Sequence, residues 1–556
     1  MALSLLYTLL LGTTAAAEPY TEPYRSQYHF TPRKNWMNDP NGLLFHNNIY
    51  HLFYQYNPNG TDWGAMSWGH ATSTDLHHWE EQPIALLARG YPDTITEMYF
   101  SGSAIADVHN TSGFGTDESP VPLVAVYTSF YPKTQTLPSG QNVQANQQAQ
   151  SIAYSLDNGT TWTPWDAGNP VIPTPPAPYS TQDTQEFRDP FVFFHEPTNK
   201  WIAAVSLATQ HKIAIYTSDN LKTWTQTSTF GPFNAVAGVW ECPNLFPLQL
   251  DDDPAQIKWV AQISVNPGGP PGTVGSGTQY VVGMFDGERF VPDEGGIYTS
   301  NNTEGNATQV EANWVDNGPD FYAPTSFNGL PSGERIDVAW MSNWQYAAKT
   351  PEKGWRGAFT LPRRLGLRTV NGRVRLVQEP VVDLAQLGIA RSEAAAGSVD
   401  IYNQTWTTLP QGTTTLPVSG KTLEVSLQFS ARNKTAARVG ITALATPDRS
   451  QQTQIGYDFE AQEVFLDRTQ SGDGSFDATF ASVYHAPLTP DCNGTVSLRV
   501  FLDWSSVEVL GGSFGETSLT ARVFPSKDAK GLFLFAEGGD VRDVGVIVRR
   551  IGSVWR

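Results

Sequence analysis

The chain has 556 residues, too many for one ordinary core, and carries a formal net charge of −19 from 35 Lys and Arg against 54 Asp and Glu. Such a charge repels nucleic-acid phosphates and anionic membrane surfaces, which argues against a nucleic-acid or membrane partner and for a neutral one. Charged residues make up only 16% of the chain while Gly (48), Pro (39) and a 12% aromatic share stand out, the composition of many turns and short strands in an all-β protein.

At the N-terminus the apolar run Leu3 to Leu11 leads into Ala15-Ala16-Ala17, the small-residue pattern at which a signal peptide is cut. Residues 1–17 therefore read as a signal peptide and the protein as secreted, although the stretch before the apolar run lacks Lys or Arg. The run is too short to span a bilayer. Eight Asn-x-Ser/Thr sequons, at Asn59, Asn110, Asn158, Asn301, Asn306, Asn403, Asn433 and Asn493, suit a eukaryotic secretory route with N-linked glycans. Cys242 and Cys492 are the only cysteines, one in each half, so no disulfide framework is expected and both thiols are expected to be buried and free.

Short alternating apolar runs follow, such as Ile49 to Tyr56, Leu123 to Tyr127 and Lys200 to Val205, each bounded by Gly, Pro, Asn or Asp and each read as a strand. A hairpin-like pattern recurs at Ser73 to Trp79, Tyr154 to Trp162 and Tyr216 to Trp224, with a polar turn ahead of an aromatic, and Phe285 to Phe290 is a degenerate fourth copy. A spacing of roughly 60 to 80 residues suits one four-stranded blade with a long loop, so residues 18–365 are predicted to form a five-bladed β-propeller. Residues 366–396 read as a linker holding one short helix, and 397–556, with alternating segments such as Leu423 to Phe429 and Val496 to Leu502, as a C-terminal β-sandwich.

Three carboxyls lie in turn-rich, aromatic-flanked segments. In Trp36-Met37-Asn38-Asp39-Pro40-Asn41-Gly42, Pro40 pushes Asp39 toward extended geometry and Asn-Gly turns the chain sharply, holding the carboxylate in one place. Asp189 follows Arg188 in Phe187-Arg188-Asp189-Pro190, a neighbourhood expected to keep it ionised and suited to gripping sugar hydroxyls. Glu241, in Trp240-Glu241-Cys242-Pro243, has the apolar surroundings that suit a general acid. Taken singly, each also has a structural reading: an Asx-turn residue, half of an Arg–Asp pair, and a buried Glu satisfied by backbone donors. A propeller gathers the starts of its innermost strands around one cavity, so jointly the three read as one site. Glycoside hydrolysis needs a carboxylate to attack the anomeric carbon and an acid to protonate the leaving oxygen, about 5–5.5 Å apart when configuration is retained.

Those three segments, together with Gln55-Tyr56-Asn57-Pro58, Trp68-Gly69-His70, Tyr99-Phe100-Ser101-Gly102-Ser103 and Asp503-Trp504-Ser505-Ser506-Val507-Glu508-Val509, resemble glycoside hydrolase family 32 along essentially the whole mature chain. The resemblance implies a five-bladed propeller followed by a sandwich, Asp39 as nucleophile, Glu241 as acid/base and Asp189 as transition-state stabiliser. It also implies that Arg188 supports Asp189 and Glu241, and a fructosyl pocket lined by Asn38, Gln55, Trp63, Phe100, Ser101 and Arg188, with Trp340 at its wall. For Trp340 and Trp344 a core role fits equally. Matches such as Tyr28-His29-Phe30 and Thr134-Gln135-Thr136-Leu137-Pro138-Ser139-Gly140 look like the fungal exo-inulinases of the family. The implied activity is retaining, exo-acting hydrolysis of terminal fructosyl residues from inulin, levan-type fructans and sucrose. The alternatives are predominant fructosyl transfer to sugar acceptors and, remotely, a non-catalytic fructan-binding propeller. Asn244 departs from the family, where Asp commonly follows the Glu-Cys-Pro triplet. The His residues lack metal-ligand spacing, so neither a metal nor a cofactor is expected.

Overall fold

The structure, a computed structural model, describes residues 20–116, 118–179, 181–293, 312–381, 400–432 and 434–555. The expected signal peptide, the sequons at Asn301, Asn306 and Asn433, and residues 382–396 of the linker expected to hold a short helix lie outside them. The described residues contain strands and short 3-10 turns but no α-helix.

Five blades of mainly antiparallel strands follow one another, the last two joined by a parallel contact between Leu250 and Leu367, and their first strands are Asn35–His46, Met98–Ala106, Phe187–His195, Val239–Leu250 and Tyr322–Ser326. Each of these strands packs against the next, and the fifth packs against the first, so the ring closes as a five-bladed propeller. The recurring hairpin seen in the sequence is the turn into the outermost strand. Asp75 Oδ1 accepts from the His77 and His78 amides, Asp157 Oδ1 from the Thr161 amide, Asn220 Oδ1 from the Lys222 and Thr223 amides, and Asp286 Oδ1 from the Glu288 and Arg289 amides. Trp79, Trp162 and Trp224 each donate an indole N–H, at 3.0 Å, to a carbonyl of their own turn. One small polar side chain thus satisfies the backbone of each corner, and one aromatic ring seals it.

The fifth blade consists of Tyr322–Ser326, Ile336–Trp340, Arg363–Val370 and Arg373–Pro380. The linker expected to begin at 366 therefore starts inside a strand. Val370 pairs with Arg373 across Asn371-Gly372, whose φ values of 52° and 73° are those of a two-residue hairpin turn. Beyond residue 400 two six-stranded sheets stack as a sandwich. Leu423, Val425, Leu427 and Phe429 alternate inward from one strand and Val544, Val546 and Val548 from another, which is why period-two segments fill this core.

Between the two domains lies a set of buried charges. The N-terminal segment runs along the sandwich, where Asp503 accepts from the Gln27 and Tyr28 amides. His29 bridges Asp503 and Glu508, each at 2.8 Å, and Glu508 is also held by the propeller's Arg363, which pairs with Asp316 at 2.9 Å. Arg468 pairs with Asp320 at 2.7 Å and Arg522 with Glu352 at 2.5 Å across the same boundary. Breaking one member of such a set leaves an unpaired charge in a dry interface, a loss of roughly 3–5 kcal/mol.

Burial opposes charge on the His29 ring, but its bonds to Asp503 and Glu508 overcome this and raise its pKa from 6.5 to about 9. Burial would likewise raise Glu508, yet Arg363 and His29 bring it down from 4.5 to about 2. The His29 contribution is complete below about pH 6.5 and disappears as pH climbs through about 9, whereas the Glu508 contribution disappears only as pH falls through about 2. The melting temperature of His29→Gln is therefore expected to lie well below wild type at pH 5 and to approach it above pH 9. An equal deficit at both pH values in scanning calorimetry would contradict the assignment.

Candidate active site

All five innermost strands carry the same irregularity near their start. Pairing with the second strand skips between Met37 and Pro40, Tyr99 and Gly102, Arg188 and Phe191, Glu241 and Asn244, and Tyr322 and Thr325. Three of these bulges hold a proline, at Pro190, Pro243 and Pro324, whose missing N–H suits an unpaired position, and in the first Pro40 closes the bulge opposite Tyr54. Asp189, Cys242 and Ala323 adopt φ of 63°, 48° and 50°, the left-handed conformation that an extra residue in a bulge requires. The residues freed from the ladders, together with their immediate neighbours, are Asn38 and Asp39, Phe100 and Ser101, Arg188 and Asp189, Glu241 and Cys242, and Tyr322 and Ala323. They include every carboxyl singled out from the sequence.

Asp39 and Asp189 are buried side by side, with the Cys242 thiol 3.7 Å from the Oδ2 atom of each. Ser101 Oγ donates to Asp39 Oδ2 at 2.8 Å, while Asp39 Oδ1 is buried with no hydrogen-bond partner. One oxygen of this carboxylate is thus fixed and the other left free. Burial and the charge of Glu241, only partly offset by bonds from Ser101, Asn38 and Cys242, raise the Asp39 pKa from 3.8 to about 6. The Cys242 amide donates to Asp189 Oδ2 at 3.0 Å. Glu241 faces them on the fourth blade: Arg188 grips its Oε1 through Nε at 3.2 Å and Nη2 at 3.0 Å, and the Tyr322 hydroxyl donates to its Oε2.

Three expectations need correction. Of the two carboxyls Arg188 is expected to support, it grips Glu241 but approaches Asp189 only to 3.8 Å, because the Asp189 side chain is turned toward the Cys242 amide. Burial consequently pushes the Asp189 pKa up, and Arg188 does not cancel it. Glu241 sits in a polar clasp of Arg188 and Tyr322 rather than in apolar surroundings. Cys242 is buried as expected, but Cys492 is exposed.

Of the other pocket residues, Asn38 accepts from the Trp36 indole at 2.7 Å and Gln55 donates to the Tyr99 carbonyl at 3.1 Å, both buried at the site's floor. Trp63 is 45% exposed and meets Phe100 edge-on at 5.9 Å, with Phe100 stacked on Phe130, so the rim offers an indole face of the kind sugar rings pack on. Trp340 is fully buried among Trp36, Tyr322 and Trp344, one layer behind the open pocket. Asn244 donates to the Pro324 carbonyl at 2.9 Å and accepts from the Ser326 amide at 3.0 Å, tying two bulges together; an ionised Asp would lose the first bond. Sequence reasoning missed Tyr322, which carries no acidic signal. Its segment Phe321-Tyr322-Ala323-Pro324 nevertheless repeats the aromatic-x-x-Pro pattern of 187–190 and 240–243.

Beside the carboxylates, Ser101, Asp189 and Cys242 also line a void of about 10 Å³, too small for a sugar ring. Among the described residues no group of three or more His, Cys, Asp or Glu side chains is arranged to hold a metal ion.

Residues 29–380 match the Glycosyl hydrolases family 32 N-terminal domain and residues 391–549 the Glycosyl hydrolases family 32 C terminal domain. The chain belongs to glycoside hydrolase family 32. It is 56% identical over 545 residues to an extracellular exo-inulinase of Aspergillus ficuum, with 98% of each chain covered. A levanase of Bacillus subtilis is 41% identical over 560 residues, covering 99% of this chain and 74% of the levanase. The crystal structure of an exo-inulinase from Aspergillus awamori matches with a TM-score of 0.91 at 54% identity, over 96% of this chain and 100% of that one. The family 32 chain is a glycoside hydrolase, and the first domain boundary implied by these matches, at residue 380, coincides with the last strand of the fifth blade.

Two outcomes follow from the site's electrostatics. Because native Asp39 keeps its proton to higher pH than the unfolded chain does, its ionisation lowers stability as pH rises from about 4 to about 6. Asp39→Asn is expected to melt roughly 2–4 °C above wild type at pH 7 but not at pH 3.5, while losing at least about 10⁴-fold in turnover. A variant no more stable than wild type at pH 7 would count against a strained Asp39. Tyr322→Phe removes the donor on Glu241 Oε2 and is expected to lower kcat about tenfold with little change in KM and a displaced pH profile. A loss confined to KM would assign Tyr322 to binding instead.

Proposed function

We propose that the protein is a secreted, retaining, exo-acting β-fructosidase that removes terminal fructosyl residues from inulin, levan-type fructans and sucrose. The observation that carries this reading is the division of labour within Asp39, whose Oδ2 is tethered to Ser101 while Oδ1 is buried and unpartnered, beside a Glu241 held by Arg188 and Tyr322. Asp39 Oδ1 attacks the anomeric carbon of the fructosyl unit as the bond to the leaving oxygen breaks, and the Glu241 proton passes to that oxygen. Ionised Glu241 then takes a proton from water as the water oxygen displaces Asp39, so two inversions give net retention. Asp189 and Asn38 are placed to grip the sugar hydroxyls, and Trp63 to pack against the ring or its neighbour.

Exo action is supported by similarity to two exo-inulinases. An extracellular setting is supported by the relative's extracellular naming and by the exposure of Asn59, Asn110, Asn158, Asn403 and Asn493, which leaves each free to carry an N-linked glycan.

Product analysis tests the reading directly. Fructose is expected as the first product from inulin, with the β-furanose anomer preceding mutarotation in an NMR time course; initial release of oligosaccharides, or of the α anomer, would overturn it. Glu241→Ala is expected to lose several orders of magnitude on sucrose and markedly less on a fructoside with an acidic leaving group. Equal losses on both substrates would remove Glu241 from the acid role.

A further inference from the structure

Away from the carboxylates, the N-terminal segment and the sandwich enclose a cleft of about 690 Å³ whose walls include Tyr24, Lys421, Trp504, Lys527, Lys530 and Arg550. None of its lining residues belongs to the carboxylate pocket. For a chain with net charge −19, four cations around one cavity with no carboxylate among the lining residues is a marked local reversal of sign. Lys527, Lys530 and Arg550 are exposed and form no ion pair among the described residues.

Lys421 is held differently. Its ammonium reaches only the carbonyls of Pro525 and Ser526, at 3.4 and 3.3 Å, distances at the weak end of hydrogen bonding, and it lies 6.0 Å from the centre of the Trp504 ring. Burial and the neighbouring Lys530 bring its pKa down to about 8 against the pull of Asp503 and Asp528. Neither carboxylate lines the cleft. Both Asp503 oxygens are committed to Gln27, Tyr28 and His29, and Asp528 Oδ1 accepts from Ser526. A partly desolvated ammonium short of acceptors, beside a half-exposed indole and ringed by exposed cations, is the chemistry that recognises an anion carried on a ring.

We propose that this cleft binds a short anionic carbohydrate, a run of carboxylate-bearing sugar residues, with a ring against Trp504 and its carboxylates on Lys421 and Lys530. The neutral fructan of the active site has nothing to offer these cations, so this is a second, chemically distinct saccharide site. The protein's overall negative charge repels a long polyanion at a distance, which limits recognition to short segments or chain ends at short range. Binding there would hold the hydrolase on acidic polysaccharide near its neutral substrate, through an effective-concentration gain rather than through any change in the chemistry.

The test is calorimetric titration of the full-length protein with tetragalacturonate at low ionic strength, with Trp504 fluorescence as a second readout. Tetragalacturonate is expected to bind and quench Trp504, and its affinity is expected to fall about tenfold or more in Lys421→Gln/Lys530→Gln and on adding salt. Sucrose turnover and melting temperature should stay unchanged in the variant. A neutral fructo-oligosaccharide of equal length should not compete. Absence of binding, undiminished binding in the double variant, or competition by the neutral oligosaccharide would each overturn the proposal. Equal affinity for inorganic phosphate would overturn the sugar component and reduce the cleft to a general oxyanion site.

Discussion

The bulge at the head of each innermost strand is the constraint on which the site depends. A regular strand places alternate side chains on opposite faces and ties every backbone group to its neighbour, so it can aim at most every second residue toward the axis. By stepping out of register at 38–39, 100–101, 189–190, 242–243 and 323–324, each blade presents two consecutive residues and frees a backbone amide besides. The Cys242 amide on Asp189 shows the benefit, since a ladder-bonded amide could not have been spared for a carboxylate. The left-handed conformations at Asp189, Cys242 and Ala323 carry some backbone strain, which the closed ring around them is large enough to sustain.

The two domains are joined by the opposite strategy. The pocket keeps carboxyls close together with too few cations, and burial therefore holds Asp39 and Asp189 against ionisation. The domain boundary distributes His29, Arg363, Arg468 and Arg522 among Asp316, Asp320, Glu352, Asp503 and Glu508 so that each buried charge meets an opposite one. The first arrangement sacrifices stability for reactivity, and the second secures the angle at which the sandwich sits on the propeller.

What the sequence made legible follows this physics. Asp39, Asp189 and Glu241 stood out because proline marks three of the bulges, and a carboxyl beside such a proline is unusual on an ordinary strand face. Ser101 carried a weaker signal, since Gly102 replaces the proline there, and Tyr322 carried the proline without the acid. The first three blades announced themselves through their corner turns, where a side chain must satisfy the backbone locally. The fifth did not, and its last hairpin was mistaken for a linker although Asn371-Gly372 spells its turn. That Asp189 would turn away from its neighbour Arg188, and that Cys492 would be exposed, depend on contacts between distant segments that no local pattern encodes. Tyr28-His29-Phe30 and Asp503 to Glu508 were visible as motifs, but only the folded chain reveals that one is the lock for the other.

Because the five bulges each donate a different part of the pocket, no fraction of the ring possesses a fraction of the chemistry. A chain emerging N-terminus first has Asp39 in the first blade, yet the hydroxyl that holds Glu241 arrives with Tyr322 in the fifth, and the residues that clasp His29 come more than a hundred positions later still. Until then the carboxyls are ordinary acids in an incomplete sheet. The pocket is consequently completed in a single event, when the last blade shuts the circle.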